Sequence, residues 1–308
     1  MKRPQPASGL AAALAEGRFA VTAEVTPPLA GAPDGLLEKA RPLKGVVDAV
    51  NVTDGASARV HMSALAAAAL LNAEGIEPVL QMTCRDRNRI ALESDLLGAA
   101  ALGIRNVLIL RGDDPTAGDH PDAMPVFDLE SRDLLEVAAA MCDDAKLPSG
   151  RAIEPPPALF LGAADSPIDP PADWTPDSLI SKVEAGACFI QTQFCFDTGV
   201  VRRYTERLAE HGLTQRLSIL IGIGPLASAR SARWMRKNLW GTIIPDAIVE
   251  RMDAAPDPVA EGIEICAELM GELAAMPGIA GAHLMAPLNE NSVPAAVERA
   301  GVRGNKRA

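Results

Sequence analysis

The chain has 308 residues, of which 48% are hydrophobic and 22% are charged, and this apolar fraction is typical of a folded protein rather than a disordered one. A formal charge of −11 argues against nucleic acid as a partner, because phosphate binding requires a basic surface. No segment reaches the roughly 20 consecutive apolar residues of a membrane span, and no secretory signal is evident, so we expect a cytoplasmic protein without a membrane partner.

Short apolar runs typical of strands alternate with longer segments of helical period along the whole chain. The strand-like runs cover residues 20–26, 49–53, 78–84, 106–110, 158–162, 189–196, 217–223 and 280–286. The helix-like segments cover residues 35–43, 63–73, 89–102, 131–144, 178–185, 201–211, 229–239 and 259–275.

Eight strand–helix repeats predict an α/β fold, a (β/α)8 TIM barrel that forms a single domain over residues 1–308. Residues 1–15 are expected to be an N-terminal extension and residues 303–308 a frayed tail. The competing architecture is an open doubly wound sheet, which would need a glycine-rich phosphate turn that is absent from this sequence.

The cysteines and histidines do not predict a metal site. None of the five cysteines forms a C-x-x-C pair, so we expect reduced core residues. The four histidines are scattered without the spacing of metal ligands. These residues are Cys84, Cys142, Cys188, Cys195 and Cys266, and His61, His120, His211 and His283.

Candidate catalytic residues are sought where strands end, since TIM barrels place their chemistry at the C-terminal ends of strands. Glu24 interrupts an apolar strand, where a carboxylate must be neutral, paired or directed toward the barrel mouth. It could be a general acid or a structural glutamate, and the sequence leaves both roles open. Arg111, Gly112 and Asp113 follow the fourth strand and could bind an anionic ligand, or could form an ordinary capped turn.

Polar residues near the sixth strand are more ambiguous. Gln191 and Gln193 lie on the same face, and an amide there could recognise a pterin-like ring or be a satisfied core group. The periodicity places Lys182 on a solvated helix face. The charged run 85–89 is interpreted as a solvated helix start.

Taken together, these segments resemble the methylenetetrahydrofolate reductase family, in the family's order and over nearly the whole chain. The matching segments are residues 23–28 (Ala-Glu-Val-Thr-Pro-Pro), 51–56 (Asn-Val-Thr-Asp-Gly-Ala), 82–86 (Met-Thr-Cys-Arg-Asp), 103–106 (Gly-Ile-Arg-Asn), 110–115 (Leu-Arg-Gly-Asp-Asp-Pro), 182–187 (Lys-Val-Glu-Ala-Gly-Ala), 192–197 (Thr-Gln-Phe-Cys-Phe-Asp) and 288–289 (Leu-Asn). The elements at 110–113 and 192–197 are the most specific.

The resemblance implies a catalytic barrel that interconverts 5,10-methylenetetrahydrofolate and 5-methyltetrahydrofolate through FAD, in one-carbon metabolism and methionine biosynthesis. It implies NAD(P)H or another electron donor, and a homo-oligomer is possible. By the same resemblance, Glu24 is the general acid, Asp113 is a catalytic residue near both flavin and folate, and Gln193 contacts the folate. The implied cofactor-binding positions are Thr53, Gln81, Arg111, Gly112, Asp113, Ala164 and Lys182.

Three departures from the family pattern concern ring-binding side chains. Gln81 replaces a common histidine, and residues 163–167 lack the usual tyrosine and histidine. Ala229 stands where a bacterial relative has a phenylalanine that packs on NADH. An aromatic contact contributes about 0.5–1.5 kcal/mol beyond its buried area, so we expect FAD to bind roughly tenfold more weakly and NADH to reduce it poorly.

Two alternatives on the same barrel dispense with the flavin. One is a pterin-binding methyltransferase, and the other is a folate-binding partner subunit. The presence of both Glu24 and Asp113 argues against a binding subunit, because binding alone requires no proton donor.

Overall fold

The computed structural model describes residues 8–287 and 289–307. Eight parallel strands form a closed barrel in the order β1-β2-β3-β4-β5-β6-β7-β8, which confirms the predicted TIM barrel. The strands are β1 (Ala20–Val25), β2 (Ala49–Val52), β3 (Pro78–Thr83), β4 (Asn106–Leu110), β5 (Phe160–Asp165), β6 (Phe189–Phe194), β7 (Ser218–Ile223) and β8 (Ile279–Leu284).

Helices surround the barrel and connect successive strands. They are α1 (Gly9–Ala15), α2 (Asp34–Ala40), α3 (Ala64–Ala73), α4 (Arg89–Ala101), α5 (Ser131–Asp143), α6 (Asp177–Glu184), α7 (Thr198–Glu210), α8 (Ala229–Asn238), α9 (Asp246–Ala254), α10 (Pro258–Ala274) and α11 (Val293–Ala300). The sequence analysis did not predict α1, α9 or α11. No helix in the described ranges is long and apolar enough to cross a membrane.

The strands are apolar on both faces because both faces are buried. One face packs against the helices in the main core, and the other fills the barrel interior. Near the N-terminal ends of the strands, the ring of Phe189 stacks on that of Phe160 with centroids 4.9 Å apart. A Cβ at Gly162 would lie 2.3 Å from the Phe189 ring, so glycine is required beside this large side chain.

The fifth strand begins two residues later and ends three residues later than predicted. The sequence placed the end of this strand too early because alanine has low intrinsic strand propensity. In the structure, Ala163 pairs with β4 and Ala164 pairs with β6. Ala163, Ala164 and Asp165 therefore belong to the strand and not to the loop after it.

The predicted frayed tail is wrong for residues 303–307. Arg303 donates two hydrogen bonds to Asp48 Oδ1, at 3.2 and 3.0 Å. The Phe19 amide donates to the carbonyl of Asn305, and the Arg307 amide donates to that of Gly17. The sequence favoured a tail because these residues are polar, but those polar groups satisfy backbone at the N-terminal end of the barrel.

Candidate functional site

Every candidate residue except Gln191 and Lys182 lies in the C-terminal half of a strand or in the loop that follows it. Lys182 is on α6, but its side chain reaches the end of β5. The closed barrel brings these ends together around one mouth. Leu288, one half of the late Leu-Asn element, lies outside the described residues.

Glu24 projects from the end of β1 and is paired, as a carboxylate at this position requires. Its Oε2 accepts a 2.7 Å hydrogen bond from Gln81 Nε2 on β3. The side chain retains 21% exposure, so solvent or a ligand can reach the carboxylate from the mouth. A ligand above the barrel can therefore contact this carboxyl group directly.

A buried polar layer lies beneath Glu24, and the sequence analysis did not find it. Gln191 and Asn51 exchange two hydrogen bonds through their amides, and Gln191 Nε2 also donates to Thr22 Oγ1 at 2.9 Å. Thr22 Oγ1 is hydrogen-bonded to His283 Nδ1 at 3.0 Å. The four side chains form hydrogen bonds with one another, which offsets the free-energy cost of burying their polar atoms.

His283 is the most important residue that the sequence analysis left unassigned. Its Nε2 lies 3.7 Å from Glu24 Oε2, on the opposite side of the imidazole from Thr22. Thr22 Oγ1 thus bonds both His283 and Gln191, which links the imidazole to the buried polar layer. The position of His283 within an apolar strand was the only available signal.

Arg85 corrects the interpretation of residues 85–89 as a solvated helix start. Arg85 is only 4% exposed and donates to the carbonyls of Gly55 and Asp113, which joins the loops after β2 and β4. Arg87 forms an ion pair with Asp54, whose carboxylate also accepts from the Thr83 amide. The position of these charges directly after a buried strand could have indicated a structural role.

The segment 111–114 contains the capped turn that was one of the two interpretations offered for it. Asp114 caps a short turn by accepting from the Thr116 amide at 2.9 Å, as in an ordinary capped turn. Asp113 instead reaches across the mouth, where its Oδ2 accepts from the Ser57 amide at 2.9 Å. Gly112 has a φ of +93°, a conformation that favours glycine. Asp113 and Gly112 therefore sit where two loops meet.

Arg111 lies at the exposed rim of the mouth. Its guanidinium lies 4.3 Å from the centroid of the Phe127 ring, and its Nε lies 3.3 Å from Glu130 Oε2. Both partners orient the guanidinium without burying it, so Arg111 can still meet an anionic group.

Lys182 does not occupy a solvated helix face, in contrast to the periodicity-based expectation. Its side chain is 18% exposed, and Nζ donates to the Ala164 carbonyl at 2.7 Å and lies 3.5 Å from Asp165 Oδ1. Tyr204 donates a hydrogen bond to the other oxygen of Asp165. Burial raises the pKa of Asp165, and the Lys182 charge partly opposes that shift. The long stem of Lys182 is what carries its charge from the helix to the end of β5.

The two glutamines of β6 have separate environments. Gln191 is 3% exposed and fully engaged in the polar layer. Gln193 is half-buried at the mouth, and its side-chain oxygen accepts only from the neighbouring Phe194 amide, at 2.9 Å. The Gln193 amide nitrogen is thus the one that can serve a ligand.

Two buried hydroxyls at the mouth have no hydrogen-bond partner among the described residues, Thr53 Oγ1 and Thr242 Oγ1. Thr53 follows β2, and Thr242 lies beside the end of β6. Buried hydroxyls are usually satisfied, so these atoms indicate a place for a polar ligand. Together with the glycine at 112 and the cations at 111 and 182, they fit a large anionic cofactor. No cluster of three or more potential metal ligands occurs within residues 8–287 and 289–307.

Comparison of the sequence with protein families gives a match over nearly the whole chain. The family described as methylenetetrahydrofolate reductase matches residues 10–301. Methylenetetrahydrofolate reductase 2 of Schizosaccharomyces pombe is 29% identical over 194 residues, which are 60% of this chain and 29% of that protein. The probable methylenetetrahydrofolate reductase (NADPH) of Caenorhabditis elegans is 26% identical over 243 residues, 76% of this chain and 34% of that protein. The chain thus spans about a third of the length of these curated relatives.

Among solved structures, a protein of Clostridium thermocellum has a similar barrel. It is described as uncharacterized and as binding two copies of 5-methyl-5,6,7,8-tetrahydrofolic acid. The TM-score is 0.61 with 12% sequence identity, and the match covers 95% of this chain and 99% of that one. At this identity the similarity concerns the fold.

Proposed function

This chain belongs to the methylenetetrahydrofolate reductase family, and we propose that it interconverts 5,10-methylenetetrahydrofolate and 5-methyltetrahydrofolate with FAD as the hydride carrier. The observation that carries the proposal is the position of Glu24. It is a partly exposed carboxylate at the barrel mouth, held by Gln81 and approached by His283. The names of the relatives from Schizosaccharomyces pombe and Caenorhabditis elegans support the same reaction.

Glu24 has the role of proton donor in this proposal. Protonation of the folate nitrogen opens the methylene bridge to an iminium, which can then accept a hydride. The hydrogen bond from Gln81 fixes the orientation of the carboxyl group, and the 21% exposure gives the folate access to it. His283 is close enough to position Glu24 through its Nε2, 3.7 Å away.

The cofactor would be held by residues of the same mouth. Thr53 offers its unpartnered hydroxyl, and Arg111 and Lys182 supply positive charge for the phosphates. Gly112, Asp113, Gln81 and Ala164 are the remaining positions proposed to line it. FAD, when bound, supplies the hydride chemistry that side chains lack. NAD(P)H is the proposed electron donor, and Asp113 is proposed to contact both cofactor and folate, with Gln193 as a second folate contact.

A flavin-free folate protein, either a methyltransferase or a binding subunit, is the second candidate. The observation that favours it is that two of the proposed cofactor positions, Gln81 and Ala164, already form hydrogen bonds within the protein. The Gln81 amide donates to Glu24, and the Ala164 carbonyl accepts from Lys182. The absorbance spectrum of the purified protein separates the candidates, since an oxidised flavin spectrum that NADPH bleaches anaerobically excludes the second.

The variant Glu24→Gln tests the assignment of the acid. Glutamine can still accept the hydrogen bond from Gln81 but cannot donate a proton as an acid. We expect flavin content and reduction by NADPH to stay at the wild-type level, while folate turnover falls by about 100-fold or more. Glu136→Gln is the matched control, because Glu136 pairs with Arg132 on the exposed surface of α5. Wild-type folate turnover in Glu24→Gln would disprove the role of Glu24.

A further inference from the structure

Aromatic side chains are scarce in this protein, at 3% of residues, and nearly all of the described ones are buried or half-buried. The exceptions are two tryptophans, Trp234 at 58% exposure and Trp240 at 84%. Trp234 lies on α8, whereas Trp240 lies in the connection between α8 and α9. Exposure alone does not identify a ligand-binding residue, so the contacts made by the segments around the two tryptophans distinguish them.

The segment that carries Trp240 is fixed against the mouth of the barrel. The Ile243 amide donates to the Phe194 carbonyl at 2.9 Å, and the Phe196 amide donates to the Ile243 carbonyl at 2.8 Å. A Cβ added at Gly241 would lie 2.9 Å from Ser166 Oγ and 3.6 Å from Gln193 Cγ. Trp240 thus directly precedes Gly241, the residue that packs against the ends of β5 and β6.

Other exposed apolar side chains occur around the same end of the barrel. Five of the nine large exposed hydrophobic residues in the described ranges lie in loops at this end. They are Leu29, Val60, Met124, Val126 and Trp240. Organic ligands contact mainly apolar and aromatic side chains, and this end of the barrel exposes such side chains to solvent.

We propose that Trp240 is a binding residue on which the flat ring system of the folate stacks while Gln193 meets the polar edge of the same ligand. This rests on the proposed function and adds to it an aromatic side chain that contacts the folate. A rigid backbone reduces the ordering cost of stacking, because the tryptophan is positioned before the ligand arrives. The indole offers the largest ring face of any side chain, it is 84% exposed, and the residue that follows it, Gly241, packs against Gln193.

The test measures binding of 5-methyltetrahydrofolate to the purified protein by anaerobic calorimetry. We expect Trp240→Ala to weaken binding about tenfold, the scale of one lost stacking contact. Trp240→Phe, which keeps a flat ring, should recover most of the affinity. Trp234→Ala is the matched control and should bind as the wild type does, because α8 holds Trp234 outside the segment that contacts Gln193. FAD content should be equal in all four proteins.

Two results would overturn the proposal. The first is wild-type folate affinity in Trp240→Ala, and the second is a loss confined to NADPH affinity. If the wild-type protein itself fails to bind the folate, the proposed function falls as well. That failure is distinguishable, because it appears without any substitution.

Discussion

Two glutamines separated by a single residue show how position within one strand divides structure from function. Gln191 lies one level deeper in the barrel than Gln193 and uses its amide on Asn51 and Thr22. Gln193 lies at the mouth and bonds only the adjacent backbone amide. The residue type is the same, so the difference lies entirely in what the barrel places around each side chain.

This difference predicts that replacement by leucine lowers stability at Gln191 but weakens folate binding at Gln193. Gln191→Leu leaves the amide of Asn51 buried without its partner, which should lower the free energy of unfolding by about 1–3 kcal/mol. Gln193→Leu should change stability little but weaken folate binding. Urea unfolding together with folate titration measures both quantities for both variants. Equal losses of stability would contradict the separation.

At the scale of elements, α1 closes the N-terminal end of the barrel. Leu10 and Leu14 enter the interior cluster that contains Phe189 and Leu220. The amides of Gly9 and Leu10 donate to Glu77, directly before β3, which anchors the start of the helix. The predicted N-terminal extension thus contains a helix that completes the core of the barrel.

The variant Leu10→Ala should therefore destabilise the protein strongly. Leu10 is 0% exposed, and its truncation leaves a cavity in the barrel interior, with an expected cost of about 2–5 kcal/mol. Leu102→Ala is the control, since Leu102 is 48% exposed and should change stability by less than about 0.5 kcal/mol. Thermal and urea unfolding measure the difference. Comparable stability of the two variants would show that α1 contributes no packing.

On the scale of the whole molecule, the interior changes character along the barrel axis. The N-terminal end is filled by apolar side chains and closed by α1, and the polar layer with Glu24 lies toward the C-terminal end. Because side chains and α1 fill the N-terminal end, ligands can approach the barrel from the C-terminal end. Cys84 and Cys195, which directly follow β3 and β6, are buried in the main core, and burial raises the pKa of Cys84 to about 11 and that of Cys195 to about 12.

These shifts predict slow thiol chemistry and a loss of stability in alkali. Near pH 8 both thiols stay protonated and buried, so we expect them to react with iodoacetamide far more slowly than in the unfolded chain. The folded state holds these protons above the ordinary pKa of 9.0, whereas the unfolded state releases them. Stability should accordingly fall as the pH rises from about 9 toward 11. Mass spectrometry of labelled peptides measures the rates, and rapid native labelling of either cysteine would contradict the prediction.

The sequence by itself determined the barrel, because eight alternations of strand and helix leave few other ways to bury strands that are apolar on both faces. It also located Glu24 and the segment 111–113, since charges that follow buried strands stand out in one dimension. Only the tertiary structure brought His283 to within 3.7 Å of Glu24, turned Lys182 inward to Asp165 and packed Gly241, the residue after Trp240, against Gln193. The physical reason is that barrel closure joins β1 to β8 and neighbouring loops to one another, and no local pattern records contacts between residues so distant along the chain.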